Sequence, residues 1–571
     1  MMESASLLSL SPELIFQIVD HTNCPSTIFT LALTCSALHR QCQPALKQHH
    51  DAYNKYRITS DLSPETVLHL LRDGPTAEIE RWHVRELEIW GSREGWEDWR
   101  SWDPKLPGSY GLAEEAPSRS ALSAQELQTC TRKMTDWWER SEDQIDMLQR
   151  NLQGGRDSML KMLLVASCPR LHSIRFAKRP NDCLAVLSWI AMAIEWCIHD
   201  KWPPGFESLQ NMAVGVSVGV LPDEDDGMFI CCSDIEKVLR LPNLKNLYIC
   251  EPIPELEWAM MEEEGIDEME DLDFEFDYLY DFPVRTSSVK CLFIDSPCDL
   301  PPQFYTAIVR APKDLETLVI RERRSTIPHE HRLVSLLDDL SLEQPQLKQF
   351  IVYNGTEIGG EYTFPHLPCK FKAFRGITHF SIAASEIEHE CYEITPPVIL
   401  QAEEYRQTFP PSMEAIYVWG FPDLYYWELH PCENLDLLLA RLIQSGGYKN
   451  LKVIYVDNVE SVHRAAIGGL PITKEQEGRA FPKTLAAGRE AGVHVCTLTN
   501  RDDGGYWKNF PARPDWFDLK TGSCGERPAD WGLNLYTGEW GPDCKGCGEC
   551  NKCLSVYPAE RWKKMKNDVA A

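Results

Sequence analysis

Positive charge is scarce in this sequence. Its 571 residues carry 57 Lys and Arg against 86 Asp and Glu, a formal net charge of -29. Nucleic acid is bound by Lys and Arg that replace condensed counterions, so it is not the expected partner, and an anionic membrane surface is disfavoured too. A long unbroken apolar run is also lacking. The longest, CLAVLSWIAMAIEWCI over 183–198, is interrupted by Glu195 and is short for a bilayer, which predicts a helix buried against a sheet. The opening MMESASLL has no basic n-region and no apolar core of signal-peptide length. Cysteine is plentiful, but of the 21 only four cluster and the other 17 are scattered without even pairing. Such thiols are expected to be reduced and mostly buried, in cytoplasm, nucleus or both, where the sequon Asn354-Gly355-Thr356 carries no glycan.

Catalytic motifs are equally sparse. Gly215-Val216-Ser217-Val218-Gly219 has the spacing of a nucleophile elbow, but LPDEDDG follows where a helix should start. His329-Glu330-His331 and His389-Glu390 lack the second histidine at helical spacing that a zinc protease needs. There is no phosphate-cradling loop and no dinucleotide fingerprint. The expectation is a protein that is not an enzyme.

What is present begins near residue 10. In LSLSPELIFQIVDHT (8–22), Ser11 is an N-cap, Pro12 occupies the first helical position and Glu13 sits at the positive end of the helix dipole. Leu10 and Ile15 are spaced for a hydrophobic staple, and Leu14, Ile15, Ile18 and Val19 form one apolar face. A second amphipathic run carries Ile28, Leu31, Cys35 and Leu38. Leu10-Ser11-Pro12-Glu13-Leu14, then Ile18, then Leu31-Ala32-Leu33-Thr34-Cys35-Ser36-Ala37-Leu38 resembles the F-box, with Ser11 set between a leucine and a proline that are often adjacent. YNKYRITSDLSPETVLHLLRD and WHVRELEIWGSREGWEDW (82–99) resemble a pattern of fungal F-box proteins, which extends the resemblance over about the first hundred residues. The resemblance implies a small helical bundle that docks on the Skp-family adaptor of a cullin ubiquitin ligase. By position, the residues implied to make that contact are Leu10, Pro12, Leu14, Ile15, Ile18, Leu31, Leu33 and Leu38.

Further along, one triplet recurs: apolar, two variable, apolar, one variable, apolar. It appears as Val84-Leu87-Ile89, Leu171-Ile174-Phe176, Leu209-Met212-Val214, Leu244-Leu247-Ile249, Val289-Leu292-Ile294 and Leu315-Leu318-Ile320. It continues as Leu347-Phe350-Val352, Ile377-Phe380-Ile382, Met413-Ile416-Val418, Leu451-Ile454-Val456 and Val493-Cys496-Leu498. From the second copy on, the gaps run from 26 to 45 residues, which fits a strand and a returning helix or loop. Three copies share a lead-in, Pro169-x-Leu171, Pro242-x-Leu244 and Pro345-x-Leu347, as if each strand were entered by one kind of turn. The pattern resembles an irregular leucine-rich repeat, although the asparagine that ladders the turns of a regular horseshoe is absent.

The expected fold class is therefore α/β: an N-terminal helical F-box over 5–50, a linker and first strand over 51–120, an irregular leucine-rich-repeat-like solenoid over 121–500, and a loop-rich cap over 501–571. A long helix over 121–152 opens with a Ser123 to Glu126 capping box, and an acidic, aromatic insertion occupies 255–282. In the cap, Cys544, Cys547, Cys550 and Cys553 stand at a spacing that lets thiolates turn back on one ion. The alternatives there are zinc, an iron–sulfur cluster, a site sharing ligands such as Cys524, or no metal; a structural zinc clip is the expected role. The functional expectation is a non-catalytic substrate receptor of a Skp-cullin-F-box ligase, holding an unidentified protein target on the array. The alternatives are a metal- or redox-sensing protein, or an F-box scaffold not linked to degradation.

Overall fold

Helix α1 (Pro12–Asp20) starts where its capping residues place it. The Leu14 and Ile15 amides donate to the Ser11 carbonyl at 3.1 and 3.2 Å, and the Glu13 carboxyl is held below its usual range by its own backbone amide and by Ser11. The computed structural model describes residues 7, 10–20, 25–102, 113–138, 142–177, 185–197, 201–216, 230–250, 252–253, 280, 282–296, 302–322, 332–354, 373–374, 376–383, 409–419, 431–456, 481–497, 533–534 and 539–540. These residues belong to two units, each described by itself: residues 1–229 with 241–244 and 516–525, and the remainder.

In the first unit α2 (Pro25–Thr34), α3 (Ser36–Gln41) and α4 (Gln43–Tyr56) follow α1. The run expected as one helix through Ile28 to Leu38 is broken, because Cys35 is extended at φ -161° and ψ 164° and serves as the N-cap of α3. Next come β1 (Ile58–Ser60), α5 (Pro64–Leu71), α6 (Pro75–His83) and β2 (Glu86–Ile89). The stretch expected as one helix over 121–152 is two, α7 (Ala124–Trp137) and α8 (Glu142–Gln153); the expected capping box is present at its start, with the Glu126 amide donating to the Ser123 hydroxyl at 3.2 Å. The unit is completed by α9 (Ser158–Ser167), β3 (Ser173–Ala177), α10 (Ala185–Glu195), α11 (Pro204–Ser208) and β4 (Asn211–Val216). The apolar run around α10 is a buried helix ended by Glu195, and among the described residues no helix is long and apolar enough to cross a membrane.

All four strands run parallel, with Leu87 beside Ile174 and Ile174 beside Met212. Every residue of α9 is buried, and it packs against α5, α10 and α11. Gly205 makes the last contact possible: a Cβ there would sit 1.7 Å from the Val165 carbonyl oxygen, so only glycine lets α11 approach. The N-terminal end of α9 rests on a buried set of four charges. Lys161 lies 2.7 Å from Asp61 and 2.9 Å from Asp157, and Arg93 lies 2.8 Å from Asp157. Asp61 also accepts from the Trp90 amide at 2.6 Å, and Arg93 donates to the Arg100 carbonyl at 2.8 Å. Polar residues at these positions give no apolar signal, yet all four are buried.

The second unit holds β5 (Ile230–Cys231), α12 (Cys232–Val238), β6 (Asn246–Cys250), β7 (Pro252–Ile253), β8 (Cys291–Ser296), α13 (Pro302–Arg310), β9 (Thr317–Glu322) and α14 (Arg332–Glu343). It continues with β10 (Gln349–Asn354), β11 (His379–Ala383), β12 (Ala415–Trp419), α15 (Pro431–Gln444), β13 (Val453–Val456), α16 (Pro482–Ala491) and β14 (His494–Thr497). Strands β6, β8, β9, β10, β11, β12, β13 and β14 pair in chain order and all in parallel. The middle apolar residue of each triplet meets its counterpart next door: Leu247, Leu292, Leu318, Phe350, Phe380, Ile416 and Ile454 form one row. The last triplet is out by one, because Ile454 pairs with Val495 rather than Cys496; with a side-chain period of two, that moves Cys496 to the other face.

In β6, β8, β9, β10, β12 and β13 side chains of both faces are buried. Leu247 and Ile249 are buried, and so is Tyr248 between them; Phe293, Val319, Ile351 and Tyr417 repeat this in the neighbouring strands. That is the pattern of a parallel sheet buried on both sides.

The asparagine ladder has a substitute made of backbone. The carbonyl of the residue before each strand accepts two amides from the next repeat: Arg85 takes those of His172 and Ser173, Lys290 those of Glu316 and Thr317, Glu316 those of Lys348 and Gln349. Lys348, Thr378 and Glu414 continue it. The proline lead-ins are turns, the Leu171 amide donating to Cys168 at 3.1 Å and that of Leu347 to Gln344 at 3.0 Å. The chain is thus an α/β protein built on parallel strands.

Candidate functional site: the apolar face of the N-terminal helices

Helix α1 has two apolar edges, not one apolar face turned inward. Ile15 and Val19, four residues apart, enter a small core with Ala32, Leu38 and Cys42, against which Leu7, Leu31, Cys35, Ala45 and Leu46 pack in part. Leu14 and Ile18, also four apart, stay at the surface, 46% and 40% exposed. The expected staple is corrected as well: Leu7, rather than Leu10, packs on the cluster that holds Ile15, and Leu10 is exposed.

The eight residues implied to contact an adaptor therefore divide. Ile15 and Leu38 are core, Leu31 is half-buried, and Leu10, Pro12, Leu14, Ile18 and Leu33 are at the surface. Leu33 is 82% exposed, and Phe16, which the sequence reading missed, adds another exposed apolar ring. Its signal was an aromatic residue off the buried stripe. Of the nine large apolar side chains exposed among the described residues, five lie between residues 10 and 33. Leu33 forgoes most of the roughly 1.5–3 kcal/mol that full burial supplies and the other four forgo about half of it or less, so together they call for a partner surface.

An aromatic clasp fixes these helices to α6 of the same unit. Phe29 of α2 stacks on Trp82 of α6 with centroids 5.4 Å apart, and meets the His49 ring edge-on at 4.7 Å. His49 Nδ1 and His83 Nε2 are 2.9 Å apart, a bond between two buried imidazoles. Burial holds the His49 ring below its usual pKa. It pushes His83 down to about 4, helped by His49, Arg85 and Arg170, so both rings are neutral at pH 7.

The other candidate chemistry falls elsewhere. Cys544, Cys547, Cys550 and Cys553 lie outside the described residues, as do Ser217, Val218 and Gly219, His329, Glu330 and His331, and His389 and Glu390. Of the acidic insertion, only residues 280 and 282 are described. Among the described residues no group of three or more His, Cys, Asp or Glu is placed to hold a metal ion. The nine cysteines whose side chains are described are free thiols, and burial pushes those of Cys130 and Cys168 up to about 12, which makes them poor nucleophiles.

No family model matches the chain. No curated protein matches it either. Among solved structures, a Bacteroides fragilis protein determined as a structural-genomics target aligns at 16% identity and a TM-score of 0.24, covering 59% of this chain and 72% of that one; a likeness of this degree carries no argument about fold or function.

Proposed function

We propose that the chain is a non-catalytic substrate receptor of a Skp-cullin-F-box type ubiquitin ligase. The N-terminal helices dock on the Skp-family adaptor, the irregular leucine-rich-repeat-like array holds a protein target, and ubiquitin transfer takes place on other subunits. The observation that carries this reading is the set of exposed apolar side chains on α1 and α2, Leu10, Leu14, Phe16, Ile18 and Leu33, beside a helix start of the F-box pattern. Because both faces of β6, β8, β9, β10, β12 and β13 carry buried side chains, the target is expected on loops and helices at the edges of the array. A structural zinc ion on Cys544, Cys547, Cys550 and Cys553 belongs to the same proposal, on the strength of their spacing.

The test is capture of purified Skp-family adaptor by the full-length chain. Leu14→Asp with Leu33→Asp changes only surface positions, so it should abolish capture without unfolding the helices. Full-strength capture by that variant overturns the reading. Elemental analysis of the purified chain decides the zinc.

A further inference from the structure

Beside the aromatic clasp, two guanidiniums share one indole. The Arg170 Cζ stands 4.2 Å from the centroid of Trp82, and the Arg85 Cζ 5.4 Å from it. Arg170 is exposed, Arg85 and Trp82 are half-buried, and Arg57 and His172 lie exposed at the entries of the flanking strands. Arg85 donates to the backbone carbonyls of Trp82 at 2.7 Å and Val84 at 3.3 Å. Among the described residues, neither Arg85 nor Arg170 has a carboxylate within ion-pair distance. Arg93, Arg119, Arg132, Arg175 and Arg240 each have an acidic partner, and Arg57 at the same edge lies 4.0 Å from Glu86, so Arg85 and Arg170 are the uncompensated charges there.

The charges also act on one another. Arg85 is pushed down to about 10 by burial and by Arg170, and both depress the neighbouring His83. Two like charges held together without an acidic partner favour an oxyanion beside them, since the guanidinium N–H groups that make no bond within the protein can meet a carboxylate or phosphate. Tyr53, 42% exposed and under the Arg57 guanidinium at 5.7 Å, adds an apolar surface at the same edge.

We propose that the edge formed by Arg57, Arg85, Arg170 and Trp82 binds an acidic peptide segment of a partner protein, with one of its oxyanions lodged between the Arg85 and Arg170 guanidiniums. A peptide fits better than a nucleic acid: the basic edge is short, and the chain's overall negative charge repels a long polyanion. This inference stands apart from the ligase reading, because it needs no adaptor.

The experiment is fluorescence polarisation of short labelled peptides on the full-length chain. A Glu- and Asp-rich peptide should bind, its Gln and Asn counterpart should not, and salt should weaken binding. Arg170→Glu should weaken it about tenfold or more, the scale of a lost charge-assisted contact, while Arg240→Glu, a reversal elsewhere, should leave it unchanged. A phosphoserine version that binds more tightly and responds equally to Arg170→Glu supports the same site and names phosphate as the oxyanion's source. Melting curves of both variants verify that they are folded. The proposal is overturned if no acidic or phosphorylated peptide binds, if Arg170→Glu binds as the unaltered chain does, or if an oligothymidylate of equal charge binds as well as the peptide.

Discussion

The N-terminal helices and the α9 layer of the same unit use apolar residues in opposite ways. In α9 every side chain from Ser158 to Ser167 is buried, and even Lys161 is taken into the interior with its partners. In the N-terminal helices the core cluster is five residues, Ile15, Val19, Ala32, Leu38 and Cys42, while as many large apolar groups face outward between residues 10 and 33. The difference teaches that apolar content measures what a segment is able to bury, not what it buries by itself. The α9 layer completes its core within the chain; the N-terminal helices leave theirs half-finished at the surface.

Substitutions should rank according to this contrast. Lys161→Ala should have the largest effect, since it leaves Asp61 buried without its cation and Asp157 with Arg93 alone; about 3–5 kcal/mol should be lost, read as a lowered urea midpoint of the first unit. Acid should come next. The folded chain holds His83 neutral down to about pH 4, whereas an unfolded histidine takes its proton near 6.5, so the unfolded state binds the proton first. Stability conferred by the pair is then complete above pH 6.5 and is lost as pH falls toward 4, by about 2–3 kcal/mol after screening at the ring edges. Urea midpoints measured across that window should fall with pH, and His83→Asn should flatten the slope.

Smaller effects test the N-terminal helices. Ile15→Ala should cost about 2 kcal/mol, at the low end for a buried aliphatic because a core with half-buried neighbours is able to collapse. Leu14→Ala should change the midpoint by less than about 0.5 kcal/mol while lowering adaptor capture. A Leu14→Ala variant as destabilised as Ile15→Ala would erase the distinction between the two edges of α1.

How much of this was legible in the letters follows from the same physics. The triplets were readable because each puts two apolar residues on one face of a strand, and neighbouring strands then align them. The last one slipped by a residue because Val495 and Cys496 are both apolar, so periodicity had no contrast to work with. Strand β1 is only Ile-Thr-Ser and shows no alternation at all. The divided helices escaped because Cys35 fits an apolar stripe while its backbone leaves the helix. At the candidate site, Leu14, Ile15, Ile18 and Val19 form a continuous stripe in sequence, and only the packing of α3 and α4 decides which edge is covered. The buried set of Asp61, Arg93, Asp157 and Lys161 was invisible because three distant segments supply it, and its one local pair, Asp157 and Lys161, reads as a surface ion pair four residues apart.

The paired amides at the strand entries have a consequence for how such a chain can change. A ladder made only of main-chain groups asks nothing of the side chains that stand on it, which is why Arg85, His172, Lys290, Glu316, Thr378 and Glu414 can occupy equivalent places. Substitutions at these turns, and insertions of varied length between strands, leave the joints intact. The kinship of one repeat with the next is then recorded in hydrogen-bond geometry long after it has faded from the residues themselves.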